Sequence, residues 1–159
     1  MKILILHGPN LNLLGTREPT TYGTMALAEI NRHLTLLASQ RDASVTAFQS
    51  NSESALIDAI HDARNWAAGI VFNPGAFTHY SYALHDAIRA VEIPVVEIHV
   101  SNIHAREEWR RRSVISPAAI GVISGFGWRG YLYALHALLD RVQESGREPQ
   151  DPSRPGRGS

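Results

Sequence analysis

The sequence of 159 residues has no cysteine, which excludes disulfide bonds, zinc–thiolate sites, iron–sulfur clusters and thiol catalysis. It also has no excess of one charge, because 15 basic residues balance 15 acidic ones. Without a net positive field, we do not expect binding to nucleic acid or to an anionic membrane surface. No apolar run is long enough for a signal peptide or a membrane span. These absences predict a cytoplasmic protein whose ligand is held by a few local side chains.

Glycine-rich phosphate loops are missing too. Residues 7–23, HGPNLNLLGTREPTTYG, follow the first apolar run but contain neither GxGxxG nor GxxxxGK[ST]. Dinucleotide binding and P-loop nucleotide binding are therefore excluded at the level of pattern. The 8 histidines are scattered without HExxH or equivalent spacing, so a metal site has no support in the sequence.

Two kinds of apolar segment alternate along the chain. Short runs rich in β-branched residues are typical of strands buried on both faces, and the segments between them have apolar residues at helical spacing. The alternation predicts one three-layer α/β domain over residues 1–145, with a mainly parallel sheet and helices on both faces. The Pro-, Gly- and charge-rich segment 146–159 is predicted to be disordered. Strands are expected at 2–6, 44–48, 69–73, 94–100 and 119–124, and helices within 24–41, 52–67, 79–91 and 128–145.

Amide, hydroxyl and imidazole side chains follow nearly every predicted strand. Asn10 follows the first strand, Asn73 ends the third, and His99 and Ser101 lie at the end of the fourth. Because ligands of open α/β sheets bind beyond the carboxyl ends of the strands, we expect these side chains to line one pocket. Their hydrogen-bonding groups suit a small ligand that is rich in oxygen.

Glu97, His99 and Ser101 alternate along the fourth strand and therefore share one face of it. Glu97 can reach the imidazole of His99 and fix its tautomer, which would make the pair a general acid. A buried polar pair that serves only packing is the alternative. A Ser–His–Glu hydrolase is disfavoured, because GxSxG is absent and three residues of one strand give poor geometry for attack.

Residues 73–86 offer a second set of ligand-binding side chains. Asn73, His79 and Asp86 would suit a polyol if they faced one pocket. Thr78 is a candidate N-cap for the helix that follows. The alternative is that His79 and Asp86 are ordinary surface residues of that helix.

A basic cluster in residues 104–113 stands out in this neutral chain. Arg106 and Arg110 would share one face of a short helix, where one of them could clamp a carboxylate in bidentate fashion. The alternatives are surface salt bridges with Glu107 and Glu108, or a contact between subunits.

The segment after the first strand has the features of a lid. Gly15 and Gly23 flank a stretch that contains Arg17 and Tyr22. Glycine-flanked loops of this size over a pocket often close on a ligand. An arginine next to a tyrosine favours the phenolate, which can act as a base.

Five segments in chain order carry a resemblance to a known family: GPNLNLLGTREPTTYG, QSNSES, NPGAFTH, EIHVSNIHAREEWR and GVISGFGWRGY. Over about residues 1–145 the chain resembles the type II 3-dehydroquinate dehydratases. The resemblance implies a flavodoxin-like fold with a five-stranded parallel sheet. It implies a hydro-lyase that converts 3-dehydroquinate to 3-dehydroshikimate in the shikimate pathway to aromatic amino acids. It also implies that no metal or cofactor is needed, and that the protein is a homododecamer built from trimers.

The same resemblance implies roles for individual residues. Tyr22 would be the base, Arg17 would stabilise the tyrosinate and the transition state, and Asn10 would position a water that stabilises an enolate. His99 would protonate the departing hydroxyl, with support from Glu97. Substrate binding would fall to Asn73, His79, Asp86, Val100, Ser101 and Arg110, with Arg106 as a lid-associated arginine.

The hypothesis that competes with the enzyme is a non-catalytic α/β binding protein that kept the pocket.

Overall fold

The computed structural model describes residues 1–147, which form a five-stranded, all-parallel sheet. In chain order the strands are β1 (Lys2–His7), β2 (Ser44–Gln49), β3 (Gly69–Asn73), β4 (Val95–His99) and β5 (Gly121–Ser124). Their order in the sheet is β2–β1–β3–β4–β5. This is the strand order of the flavodoxin-like fold, and it confirms the predicted fold class.

The helices connect successive strands and cover both faces of the sheet. A short helix, α1 (Pro19–Tyr22), precedes α2 (Leu27–Ser39) in the connection from β1 to β2. The following connections contain α3 (Glu53–Ala63) and α4 (Tyr82–Val91), and α5 (Arg129–Arg147) follows the last strand. Among residues 1–147, no helix is both long and apolar enough to cross a bilayer.

Alternation along the strands divides the side chains between two cores. Ile5 of β1 packs in a cluster with α2 and α5, whereas Leu6 packs in a cluster with α3 and α4. Because helices cover both faces, the central strands have apolar residues on both faces of the sheet. The same alternation directs His7 toward α2 and α5, and it places Glu97 and His99 on the α4 side of the sheet.

The exits of β1 and β3 approach each other closely. The Gly8 N–H donates a 2.7 Å hydrogen bond to the carbonyl oxygen of Asn73. A Cβ atom at Gly8 would lie 2.4 Å from the carbonyl oxygen of Pro74, so a larger residue does not fit without a shift of the backbone. The contact brings together the loops after β1 and β3 at the topological switch point, where α/β folds bind ligands.

The sequence predicted the bounds of every strand to within two residues of those observed. The predicted helix bounds differ more from the observed ones. Helix α1, within the predicted lid, has no counterpart among the predicted helices. We expected disorder to begin at residue 146, yet α5 continues through Gly146 to Arg147. A glycine costs about 1 kcal/mol within a helix but does not by itself end one. The remainder of the predicted disordered segment, 148–159, lies outside the described residues.

Candidate active site

A cavity of about 220 Å³ lies at the carboxyl edge of the sheet, beside the switch point. Its volume is below the roughly 300–1,000 Å³ of sites for drug-sized ligands, so it suits a small metabolite. The loop after β1, the exit of β3 and the end of β4 all contribute to its wall. Of the residues predicted for the site, it is lined by Asn10, Arg17, Tyr22, Asn73, His79, His99, Val100, Ser101, Arg106 and Arg110.

Helix α1 and the loop before it extend over this cavity. Pro19 occupies the start of the helix, where its missing N–H costs nothing, and Gly23, with φ of 80°, ends it. Tyr22 accepts a 2.7 Å hydrogen bond from Nη1 of Arg106. The Arg17 guanidinium carbon lies 5.0 Å from the centroid of the Tyr22 ring, and that of Arg106 lies 5.3 Å from it. Two cations therefore lie beside one phenol at the cavity wall.

Glu97 and His99 form a buried pair beneath the cavity. The Nε2 atom of His99 lies 2.5 Å from Oε1 of Glu97, which is fully buried. Burial acts to raise the pKa of Glu97, but hydrogen bonds from His99, Ser116 and Thr78 and the charge of His99 outweigh it and hold that pKa below its ordinary value. Glu97 is therefore a carboxylate at neutral pH that accepts the Nε2–H of His99. Nδ1 is the ring nitrogen left for a ligand.

Three hydroxyl groups also donate to the Glu97 carboxylate, and none of these contacts was predicted. Thr78 donates to Oε1, Ser113 donates to Oε1 at 2.8 Å, and Ser116 donates to Oε2 at 2.6 Å. The prediction that Thr78 caps the following helix is wrong. Ser81 caps α4 instead, because a hydroxyl three positions closer to that helix accepts a hydrogen bond within its first turn, whereas Thr78 is buried against β4.

His79 reaches the cavity from the segment between β3 and α4. Its Nδ1–H donates to the carbonyl oxygen of Arg112 at 2.8 Å, which leaves Nε2 for the cavity. Burial is the largest effect and lowers the pKa of His79; the Arg112 bond opposes it, and the positive charges of His99 and Arg110 add to the lowering. A neutral His79 can accept a hydrogen bond from a ligand hydroxyl through Nε2.

Arg106 and Arg110 both line the cavity, but not from one helix. The segment forms two short 3-10 turns, Ile103–Ala105 and Glu108–Arg110, with Arg106 between them. The guanidinium of Arg110 bonds to Glu107 and lies 4.0 Å from the centroid of the Trp109 ring. These contacts orient a cation at the cavity wall, where it can meet an anionic group of a ligand.

A buried chain of hydrogen bonds orients Asn73. Its Nδ2–H donates to the Tyr131 hydroxyl at 3.0 Å, and that hydroxyl donates to Nδ1 of His7 at 2.9 Å. The Nε2–H of His7 in turn donates to Oδ1 of Asn31 at 2.9 Å, which fixes the direction of every bond in the chain. Burial lowers the pKa of His7 to about 4, opposed by the Asn31 bond, so its ring is neutral. Sequence reasoning missed this chain, because its members come from β1, α2, β3 and α5 with no common spacing.

Asn10, three residues after the end of β1, adopts a left-handed backbone conformation with φ of 67°. Asparagine tolerates this region better than most residues, and the Asn10 N–H is held by a 3.0 Å hydrogen bond to Oδ1 of Asn51. Ser101 also lines the cavity, where its hydroxyl is 3.4 Å from Nη1 of Arg106.

Asp86 is the one predicted substrate ligand that the structure places away from this cavity. It is exposed on α4, whose buried face is formed by Leu84, Ala87, Ile88 and Val91. Helix α4 begins only at Tyr82, so its periodicity turns Asp86 outward while His79 remains at the cavity. Asn73, His79 and Asp86 therefore do not meet in one pocket of a single chain.

Metal-ligating side chains do not gather at this site or elsewhere in residues 1–147. No group of three histidine, cysteine, aspartate or glutamate side chains in that part of the chain has a geometry that could hold a metal ion.

Comparison with known proteins relates this geometry to one family. A family model described as "Dehydroquinase class II" matches residues 1–139. A 3-dehydroquinate dehydratase from Anoxybacillus flavithermus is 53% identical over 92% of this chain and 99% of its own length. One from Desulforudis audaxviator is 56% identical over 89% of this chain and 95% of its own length. The crystal structure of type II dehydroquinase from Butyrivibrio crossotus aligns with a TM-score of 0.85 at 44% identity, covering 87% of this chain and 97% of that one.

Proposed function

The chain belongs to the dehydroquinase class II family, and we propose that it dehydrates 3-dehydroquinate to 3-dehydroshikimate in the shikimate pathway. The reaction is an elimination of water next to a ketone, which makes the enzyme a hydro-lyase. It needs a base, an acid and a group that stabilises an enolate. The observation that carries the proposal is that Tyr22, held between two arginines, and His99, held by a buried carboxylate, line the same cavity.

Tyr22 acts as the base. Its oxygen lies 2.7 Å from Nη1 of Arg106, and the Arg17 guanidinium flanks the ring, so two cations lie beside the group that takes the proton. The phenolate removes a proton from the carbon between the ketone and the hydroxyl-bearing carbon. The electron pair of that C–H bond moves to the ketone oxygen and forms an enolate. A water held by Asn10 stabilises the negative oxygen by hydrogen bonding.

His99 acts as the acid in the second step. The enolate collapses to the ketone, a carbon–carbon double bond forms, and the bond to the hydroxyl breaks. The proton from Nδ1 of the His99 imidazolium joins the hydroxyl, which leaves as water. Nε2–H stays on Glu97 throughout, 2.5 Å from the carboxylate, so the ring keeps its orientation as it becomes neutral.

The remaining cavity residues bind the substrate. The polar groups of Asn73 and Ser101 and the free Nε2 of His79 face a ring that carries hydroxyls, and Arg110 meets the carboxylate. The Val100 backbone contributes from the end of β4, at the same wall.

We extend the proposal to assembly as a homododecamer built from trimers. Asp86 lies outside the cavity of its own chain, so a contact between Asp86 and substrate requires that its helix meets the cavity of a neighbouring copy. The Asp86→Ala variant should then raise KM while the oligomer forms normally. Light scattering together with steady-state kinetics tests both parts, and an unchanged KM would remove Asp86 from the binding site.

Incubation of the purified protein with 3-dehydroquinate tests the reaction itself. The product is a conjugated enone, so ultraviolet absorbance should rise with time and in proportion to enzyme concentration. A protein that binds the substrate, as measured by calorimetry, without any rise in absorbance would instead be a non-catalytic binding protein.

A further inference from the structure

The two oxygens of Glu97 have unequal sets of partners. Oε1 accepts from His99, Thr78 and Ser113. Oε2 accepts from Ser116 at 2.6 Å and from Ser113 at a longer 3.1 Å. Ser116 is therefore the closest hydrogen-bond partner of Oε2.

The loop that carries Ser113 and Ser116 is itself fixed by hydrogen bonds. The Ser113 hydroxyl oxygen accepts from the backbone N–H groups of Ile115, at 3.1 Å, and Ser116, at 3.0 Å. Since two donors occupy the oxygen, its own hydrogen points to Glu97, and the bonds strengthen one another. The Val114 N–H also donates to the carbonyl oxygen of Thr78 at 2.8 Å, which joins the loop to the segment that bears the third hydroxyl.

Such a set of donors determines how the carboxylate can turn. If His99 were its only partner, the Glu97 carboxylate could rotate about the Cγ–Cδ bond, and the hydrogen-bonded imidazole of His99 would change its orientation as well. Fixed hydroxyls on both oxygens remove that freedom, and in a buried site each is a charge-assisted hydrogen bond. The orientation of Glu97 in turn decides where Nδ1 of His99 points.

We propose that Ser116, acting together with Ser113 and Thr78, is a positioning residue for the acid: these hydroxyls hold the Glu97 carboxylate in the orientation that aims Nδ1 of His99 at the departing hydroxyl. The inference rests on the proposed function of the site. Ser116 does not line the cavity, so it acts through Glu97 and His99 and does not touch the substrate.

Ser116 is the member of the set best suited to a test. Ser113 holds two backbone N–H groups, so its removal would also disturb the loop. Ser116→Ala removes the hydroxyl on Oε2, and Ser116→Thr keeps it. Ser39→Ala is the matched control, because the Ser39 hydroxyl donates to the Leu36 carbonyl in α2, far from the cavity.

The experiment measures kcat and KM for enone formation with Ser116→Ala in the unaltered chain and in the His99→Ala variant. In the unaltered chain we expect kcat to fall about tenfold, part of the roughly 10²–10⁴-fold that an acid contributes, with KM within about twofold. In the His99→Ala background the same substitution should change kcat by less than about twofold, because the acid it positions is gone. Ser116→Thr should recover most of kcat, and Ser39→Ala should leave kcat unchanged in both backgrounds.

Three results would overturn the inference. They are an unchanged kcat in Ser116→Ala, an equal fall in kcat with and without His99, or a rise in KM alone. If Ser116→Ala does not fold, Ser116→Thr is compared with Ser116→Val. These two side chains have the same shape, and only threonine carries the hydroxyl. Failure of the proposed function is distinct from these results, because it would show as no enone from the unaltered protein.

Discussion

Acidification from pH 7 to pH 5 is expected to weaken the folded chain through His7. The imidazole is fully buried, with Nδ1 accepting from Tyr131 and Nε2–H donating to Asn31. A second proton on Nδ1 would face the hydroxyl hydrogen of Tyr131 and would place a charge in an apolar core. The folded state therefore resists a proton that the unfolded chain accepts freely.

The size of the effect follows from the two pKa values of His7. Burial lowers its pKa from 6.5 to about 4 on folding. The unfolded state thus binds more protons between these values, and stability falls as the pH is lowered through this window. Linkage gives a loss of about 2 kcal/mol between pH 7 and pH 5, and about 3 kcal/mol by pH 4.

Urea unfolding at pH 7 and pH 5, at one protein concentration, measures this loss. The His7→Gln variant is the control, since its side chain does not titrate. Between pH 7 and pH 5, its free energy of unfolding should fall by about 2 kcal/mol less than that of the unaltered protein. Equal changes in the two proteins would refute the assignment of a neutral, buried imidazole at this position.

Further substitutions test the contacts around the cavity. Glu97→Gln keeps the shape but loses the charge that orients the acid, so kcat should fall about tenfold with KM little changed, a loss of about 1.4 kcal/mol; a kcat equal to that of the unaltered enzyme would argue against an ionised Glu97. Arg106→Leu removes the donor 2.7 Å from the Tyr22 oxygen, so kcat should fall about 10- to 100-fold. Arg106→Lys should recover part of this loss. Normal turnover in Arg106→Leu would show that this cation does not support the base. Tyr131→Phe leaves Nδ1 of His7 without its donor and should lower the free energy of unfolding by about 1–3 kcal/mol, measured by urea denaturation; no loss would contradict the proposed bond directions.

Strand positions could be predicted because parallel strands covered on both faces are short, continuous apolar runs. The exits of those strands also located most of the cavity, since the carboxyl ends of parallel strands share an edge. Asn73 and His99 were found in this way from the sequence, and the structure places both in the cavity wall. Helix boundaries were less well predicted, because the polar residues near a helix end compete for the cap, as Thr78 and Ser81 do.

Contacts between distant segments could not be predicted from spacing. Ser113 and Ser116 meet Glu97 through a loop without periodic pattern, and Tyr131 reaches Asn73 from a helix 58 residues further along the chain. Such contacts depend on how the loops and helices pack over the sheet. The outward direction of Asp86 has the same origin, since it follows from where α4 begins.

Turnover by the Tyr22→Phe variant tests the central claim most directly. The substitution removes one oxygen, the proposed base, and leaves a ring that Arg17 and Arg106 still flank. We expect enone formation to fall by at least about 10²–10³-fold, while calorimetry shows that 3-dehydroquinate binds within a few-fold of its original affinity. A Tyr22→Phe enzyme that forms the enone at the original rate would contradict the account, because the cavity would then have a different base.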